Sequence, residues 1–401
     1  MSRLRVLHIT RNYPNSVFPR LGLWTERLLR STLVECEAEV IAPVPYWPPV
    51  PGPDAFTRYR RVEREREAGG VRVHHPRFFV GPGSWLSEFE GVPFHAAVKR
   101  VADRLQARRP CDLIHAHFVY PDGWAAARLA RRYNVPLVVT EQASWQPWLD
   151  NAPRVRRRAV QVAAQSRFVM AVSHSLARAI SHFAELGDRL RVIPNVVDEE
   201  VFTLPDAGEK PKNNRLLFVG LIRRVKGLDV LLSAVHILVQ RGYDVSLAVV
   251  GESIYGSYQV DLNAARQQVI TLGLEARVSF LGGMAPLQVA QEMWKCRMLV
   301  LPSRRETFAS VVVEALACGL PVVATRCGGP EDIMTDEVGR LVDAENPDAL
   351  ADGIAAVLDG QKHYNPAALR AYAVERFGMR AVGAQLVSMY REAVAPGDGS
   401  P

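Results

Sequence analysis

Cysteine is scarce in this chain and badly placed for chemistry. The five cysteines, Cys36, Cys111, Cys296, Cys318 and Cys327, are odd in number and far apart, with no Cys-x-x-Cys pair. That argues against a disulfide framework or a zinc site and fits a reducing compartment. Long hydrophobic runs are missing too. No stretch reaches ~18 apolar residues, so no membrane span is expected. The apolar run behind Met1 is too short for a secretory signal and reads as a first buried strand, so the chain is expected to stay in the cytoplasm. There is no Asp-x-Asp pair, no His/Cys/carboxylate set at metal-ligand spacing, no elbow serine, and no Gly-x-Gly-x-x-Gly after a strand. Metal, hydrolase and dinucleotide readings lose support accordingly.

What is present is a soluble globular composition. Of 401 residues, 48% are apolar and 23% charged, enough for a sizeable core in each of two domains. The net charge of +7 is uneven. Residues 1–200 hold 29 basic and 20 acidic side chains; residues 201–401 hold 20 and 22. The excess gathers at Arg58–Arg66, at Lys99–Arg109 and in Arg154, Arg156, Arg157 and Arg158. Such clusters attract phosphates on lipid or nucleic acid. The first, interleaved with Glu63, Glu65 and Glu67, also fits a solvated helix face. The Arg154–Arg158 run is less diluted, and a place beside anionic lipid suits it.

Short β-branched runs alternate with amphipathic segments. Strands are expected at Leu4–Ile9, Ala38–Ala42, Asp112–Ala116, Leu137–Thr140 and Phe168–Val172. The second half repeats the scheme at Arg215–Val219, Ser246–Val250, Val278–Leu281, Met298–Leu301 and Pro321–Ala324. Helical segments between them make two parallel, doubly wound α/β domains. The boundary falls near residue 200, before the polar stretch Leu204–Asn214. This gives domains 1–200 and 201–375. The closing segment Pro366–Ala393 should break at Gly378, with helix 379–393 packing back towards the first domain. Pro43–Pro53 holds too many prolines for a helix or central strand and reads as a rigid surface loop presenting Tyr46 and Trp47.

The richest constellation starts at Leu299. An apolar strand ends at Pro302, a polar loop runs through Glu306, and a helix from Ser310 stops at Gly319. The loop therefore lies at a strand's carboxyl end and a helix N-terminus, where free N–H groups favour an anion. Glu314, about one turn in, is costly among valines and alanines unless it meets donors such as vicinal hydroxyls. A solvent-side helix glutamate is the plain alternative. His115 and His117, two apart on a strand, share a face; core histidines are the plain reading there.

Glu306 and Glu314, separated by seven residues, resemble the E-x7-E signature of the retaining glycosyltransferases of family 4. Matching stretches follow in family order. They are Asp112-Leu-Ile-His115-Ala-His117, Val192-Ile-Pro-Asn-Val-Val-Asp198, Phe218–Leu232 around Lys226, Val249-Val-Gly251-Glu252, Val278–Gly282 and Gly328–Ile333, with Tyr13-Pro and Gly22 at the start. The resemblance implies the GT-B fold, two Rossmann-like domains facing across a cleft, with a nucleoside-diphosphate sugar as donor and no cofactor or metal. It puts Glu306 on the sugar hydroxyls and the amides of Thr307, Phe308, Ala309 and Ser310 at the sugar or diphosphate. Glu314 takes the ribose, Lys226 the diphosphate, and His117 the neighbourhood of the sugar. Gly22 and Gly251 let backbone approach the donor. The acceptor is expected on the N-terminal domain, as a glycan or polyprenyl-diphosphate-linked chain, with peripheral contact with anionic membrane at its inner face.

Three departures stand out. Leu221 occupies the place of an arginine the family carries five residues before the lysine, so Arg223, or Arg224, is the candidate substitute. Ser253 follows Glu252 where glycine is common, and Gln142 replaces a frequent histidine. A sugar-nucleotide epimerase and a non-catalytic nucleotide-sugar module remain open on the residues alone; no nucleic acid is expected as a partner, the basic charge leaving that only as a weak alternative.

Overall fold

The computed structural model describes residues 3–48, 50, 57–80, 88–143, 152–205, 213–252 and 258–395. Ser253, linker residues 206–212, tail residues 396–401 and the later prolines of Pro43–Pro53 lie outside them. The chain forms two compact units, Met1–Asn195 with Val382–Pro401, and Val196–Ala381.

Unit 1 is built on β1 (Leu4–Ile9), β2 (Cys36–Ile41), β3 (Val44–Tyr46), β4 (Glu65–Ala68), β5 (Val71–His74), β6 (Arg77–Phe79), β7 (Leu113–Ala116), β8 (Leu137–Glu141), β9 (Phe168–Ala171) and β10 (Leu190–Val192). Eight of these form one sheet in the order β10-β9-β8-β7-β1-β2-β5-β4, parallel except for β4. Strands β7, β8 and β9 are buried at every position. Such two-sided burial is what continuous Val/Ile/Leu runs specify. The connecting helices are α1 (Leu23–Arg30), α2 (Gly91–Arg108), α3 (Trp124–Tyr133), α4 (Pro153–Gln165) and α5 (His174–Ser181). Ser173 starts α5 by accepting a hydrogen bond from the Leu176 N–H.

Two expectations change here. The arginine cluster at Arg58–Arg66 is no helix face. A single 3-10 turn, Arg58–Arg61, leads into β4, which pairs antiparallel with β5. Glu65 and Glu67 alternate with Arg66 at the two-residue period of a strand, and Gly69-Gly70, both at positive φ, make the hairpin turn. Nor is the proline segment wholly loop. Val44–Tyr46 forms a short strand with Arg77–Phe79. Pro45 is tolerated because it sits in a two-stranded sheet with free edges.

Unit 2 carries β11 (Asn214–Val219), β12 (Val245–Val250), β13 (Val278–Gly282), β14 (Met298–Leu301), β15 (Val322–Thr325) and β16 (Gly339–Val342). They form a parallel sheet ordered β13-β12-β11-β14-β15-β16. Its helices are α6 (Leu228–Gln240), α7 (Tyr258–Thr271), α8 (Pro286–Trp294), α9 (Ser310–Ala317), α10 (Pro347–Leu358) and α11 (Pro366–Phe377). Leu231, Leu232, Val235 and Leu238 of α6 pack with Leu216, Phe218, Leu247 and Val249 of the sheet and Ile354 of α10 in one core. Asn346 and Asn365 cap α10 and α11, each with proline at the first helical turn.

After Gly378 the chain starts a last helix, α12 (Met379–Val394). From Val382 onward it belongs to unit 1. Gly383 lies against the Ser31 carbonyl, where a Cβ would stand 2.1 Å from the oxygen. Tyr390, fully buried, bonds His115 at 2.5 Å. No helix among the described residues is long and apolar enough to cross a membrane.

Candidate donor site and the polar core of unit 1

The carboxyl ends of β11, β12 and β14 come together at two close backbone approaches. A Cβ on Gly251 would lie 1.8 Å from the Gly220 carbonyl oxygen, and one on Gly227 would lie 1.9 Å from that of Pro302. Gly227 also has φ +68, which only glycine adopts cheaply. These contacts fix the turn Arg224–Lys226 beside the loop after β14. Lys226 Nζ then meets Glu306 Oε1 at 2.7 Å. Ser303 Oγ donates to the same oxygen at 2.7 Å. The Glu306 side chain is 9% exposed and that of Lys226 25%, so the pair is sheltered yet reachable.

The backbone of Glu306 is pinned from the other side. Its N–H donates to the Cys327 carbonyl, and its carbonyl accepts from Gly329 N–H. Glu331 closes this turn by accepting from Gly328 N–H at 2.9 Å. Gly329 has no room for a side chain, since its Cβ would sit 2.5 Å from the Phe308 backbone. The matched stretch Gly328–Ile333 is thus the brace of the Glu306 loop.

Ala309 caps α9 in the left-handed region, φ 72 and ψ 58. The amides of Thr307, Phe308, Ala309 and Ser310 find no acceptor among the described residues. Phe308 is buried, so this loop offers backbone rather than its ring. Glu314 is half-buried one turn along α9. A cation, a row of free N–H groups and two carboxylates therefore share one edge, an arrangement suited to a diphosphate flanked by hydroxyls. Leu221 is 38% exposed. Arg223 and Arg224 are exposed beside it, and neither side chain has a partner among the described residues.

Sequence reasoning missed the residue that ties this edge together. Arg304 grips Asp229 with two parallel hydrogen bonds of 2.8 Å each. It also bonds Glu345 at 2.9 Å and the Arg224 carbonyl at 2.6 Å, while its own N–H reaches the Val225 carbonyl. Hydrogen bonding to Asp229 pushes the guanidinium pKa up further still. Both Arg304 and Asp229 stood inside the motif stretches; only the fold shows that they join.

In unit 1, Gly22 caps α1 at φ +71, and its Cβ would lie 2.1 Å from the Asn12 carbonyl oxygen. That packing alone requires glycine. His117 is fully buried. Its Nε2 lies 3.0 Å from His8 Nδ1, and its ring centroid 4.2 Å from that of His115. His115 spends its other nitrogen on Thr140 Oγ1 at 2.6 Å. The three imidazoles could reach one metal ion, a cluster that residue spacing did not reveal because His8 comes from the neighbouring strand. Both nitrogens of His115 are engaged and, among the described residues, no carboxylate joins the cluster, so a dication there would be uncompensated in a buried site. Burial holds His117 down to about 3, and pushes His8 and His115 well below the usual imidazole range.

Beyond the same strand ends lie two buried carboxyls. Glu141 accepts from the amides of Val119, Gln142 and Ala143. That is the place of Gln142 here: its amide helps hold Glu141. Asp122 accepts from Arg11 N–H at 3.1 Å with one oxygen and has no partner for the other. Burial, helped by Glu141, raises its carboxyl to about 8.

Residues 202–374 match the family model described as glycosyl transferases group 1, and residues 36–201 match the one described as glycosyltransferase family 4. A D-inositol 3-phosphate glycosyltransferase of Pseudarthrobacter chlorophenolicus is 31% identical over 83% of this chain and 80% of its own. Among solved structures, Anabaena HepE in complex with UDP and glucose superposes with a TM-score of 0.73 at 23% identity, covering 96% of this chain and 99% of that one. A sucrose-phosphate synthase of Thermosynechococcus elongatus reaches 0.78 at 19% identity, covering 98% and 100%. The chain belongs to the family-4, group 1 glycosyltransferases and has their GT-B fold of two Rossmann-like halves.

Proposed function

We propose that this glycosyltransferase moves a hexose-type sugar from a nucleoside-diphosphate sugar to a hydroxyl of a glycan or lipid-linked acceptor, with retention and without a metal or other cofactor. Surface polysaccharide assembly in the cytoplasm, at the inner face of the membrane, is the setting we infer. The observation that carries the reading is the Lys226–Glu306 pair beside the free amides of Thr307–Ser310. When the sugar–diphosphate bond breaks, negative charge grows on the leaving oxygen. A fixed ammonium and a helix N-terminus stabilise it best at that moment. Lys226 then leaves Glu306 for the diphosphate, and Glu306 becomes free for sugar hydroxyls. Glu314 holds the ribose, and Arg223 adds a second cation in place of Leu221. The acceptor oxygen bonds to the anomeric carbon on the face the diphosphate leaves, and its proton passes to a diphosphate oxygen. Solved neighbours holding UDP and glucose favour a hexosyl donor, and relatives named for an inositol phosphate favour a hydroxylic acceptor.

The test is a pair of variants. Glu306→Ala abolishes transfer while nucleotide still binds. Glu314→Ala raises the nucleotide Kd by about tenfold or more, the weight of a charge-assisted hydrogen bond. Unchanged calorimetric affinity in Glu314→Ala removes its ribose role. Product stereochemistry by NMR decides retention, and conversion of the donor without acceptor would favour an epimerase.

A further inference from the structure

Unit 1 contains a groove of about 520 Å³ between α2 and the β4–β6 segment, lined among others by Arg64, His75, Arg77, Phe79, Arg100 and Arg104. Four guanidinium groups enter it against one lining carboxylate, Glu65. Glu65 is committed to Arg104 at 2.7 Å and to His74 at 3.2 Å. Arg77 donates to the carbonyls of Val62 and His75, which are neutral. The side chains of Arg64 and Arg100 have no partner among the described residues. Burial and the nearby Arg64 charge lower the Arg77 pKa and outweigh the opposing pull of Glu63, as expected where cations outnumber the carboxylates near them. His75 is 1% exposed. Its Nδ1 serves the Ala42 carbonyl at 2.9 Å, and its Nε2 has no partner.

The rim differs in character. Phe79, at the end of β6, is 61% exposed, and its strand partner Tyr46 45%. Val92, beside lining residue Pro93 on α2, is 55% exposed. A cationic groove next to bare apolar side chains matches an anionic amphiphile, whose phosphate and acyl region sit side by side. The Arg154–Arg158 run, the other candidate, is largely used internally. Arg158 donates to the Tyr120 hydroxyl and the Glu88 carbonyl, Arg154 pairs with Glu88, and Arg156 lies over Phe183.

We propose that this groove binds the phosphate headgroup of an anionic phospholipid, with Phe79, Tyr46 and Val92 entering the interfacial layer. The proposal rests on the membrane contact inferred above and gives it a site. Co-sedimentation of the full chain with vesicles tests it, using phosphatidylcholine alone and phosphatidylglycerol mixed with phosphatidylcholine. Wild type pellets with the mixed vesicles only, and less as salt rises. The double variant Arg64→Glu, Arg100→Glu lowers partitioning at least about tenfold, since each interfacial arginine contributes about a tenfold factor or somewhat less. Phe79→Ser lowers it while keeping the salt dependence. Arg156→Glu with Arg157→Glu leaves it unchanged. All variants are compared at equal melting temperature and equal thermal shift with nucleotide; should the double charge reversal fail to fold, Arg100→Gln alone takes its place. Wild-type binding that the groove variants do not weaken overturns the groove and leaves the membrane reading standing. Absence of wild-type binding overturns both. A thermal shift with inorganic phosphate that the variants abolish, without vesicle binding, overturns the lipid as ligand.

Discussion

The histidines and Asp122 make opposite demands on pH, and the signs can be worked out. An unfolded imidazole titrates near ~6.5. His117 in the fold titrates near about 3, and His8 and His115 also lie far below their usual range. Between those values the unfolded chain binds protons that the native chain refuses, so stability falls as pH falls below about 6.5, at up to ~1.4 kcal/mol per pH unit for each ring. Asp122 works the other way. Its folded value of about 8 lies above an unfolded value near ~3.9, so its contribution shrinks as pH rises across that window. Three rings outweigh one carboxyl in mild acid. Unit 1 should therefore be most stable near pH ~6.5 and soften on both sides. Melting curves across pH check this. His8→Asn should reduce the acid slope, and Asp122→Asn should flatten the alkaline decline. Slopes unchanged in both variants would mean that neither group is buried as described.

At the scale of elements, the Arg304 clamp joins three loops that follow β11, β14 and β16. It holds the turn bearing Lys226 to the loop bearing Glu306, through Asp229, the Arg224 and Val225 carbonyls, and Glu345. A lysine cannot reproduce two parallel bonds to Asp229. Arg304→Lys and Arg304→Gln should lower kcat by roughly ten- to a hundredfold, because a displacement of about 1 Å at a reacting pair is that costly. Donor KM should move much less, since Glu314 and the α9 amides are untouched. A change confined to KM would show that Arg304 serves binding rather than the placement of Lys226. This clamp also marks where the sequence stops being legible. Strands β1 and β14 were readable to the residue, and α9 nearly so, because runs such as Met298–Leu301 fit only a buried strand. Strands β4 and β5 were obscured by charge, since arginine and glutamate alternate as readily on an edge strand as on a helix. Contacts between loops leave no local trace at all. Arg304 and Asp229 lie 75 residues apart, and nothing in either neighbourhood names the other. The same holds for His8 and His117, 109 apart, whereas Glu306 and Glu314 were visible because one loop and one helix carry both.

Across the whole molecule, chemistry is divided between the two units. Unit 2 gathers the candidate nucleotide machinery, with its carboxylates, its sheltered Lys226–Glu306 pair and its near-neutral balance. Unit 1 holds the excess positive charge, the neutral imidazole cluster and the cationic groove. Each has its own sheet and its own packed interior, so perturbations that act on one should register there first. A nucleotide sugar held by the folded form of unit 2, as proposed, would stabilise it by RT ln(1 + [L]/Kd), about 2.7 kcal/mol when ligand exceeds Kd a hundredfold. Acid protonates the unfolded form of unit 1. Scanning calorimetry should therefore show two components at pH ~6.5. Adding the donor nucleotide should raise one of them, while lowering the pH to ~5 should depress the other by several degrees. Glu314→Ala should at least about halve the first response and leave the second, and His8→Asn should weaken the second and leave the first. If donor and acid shift a single indivisible transition, and each variant damps both responses, the division of labour between the units is wrong even where the individual contacts are right.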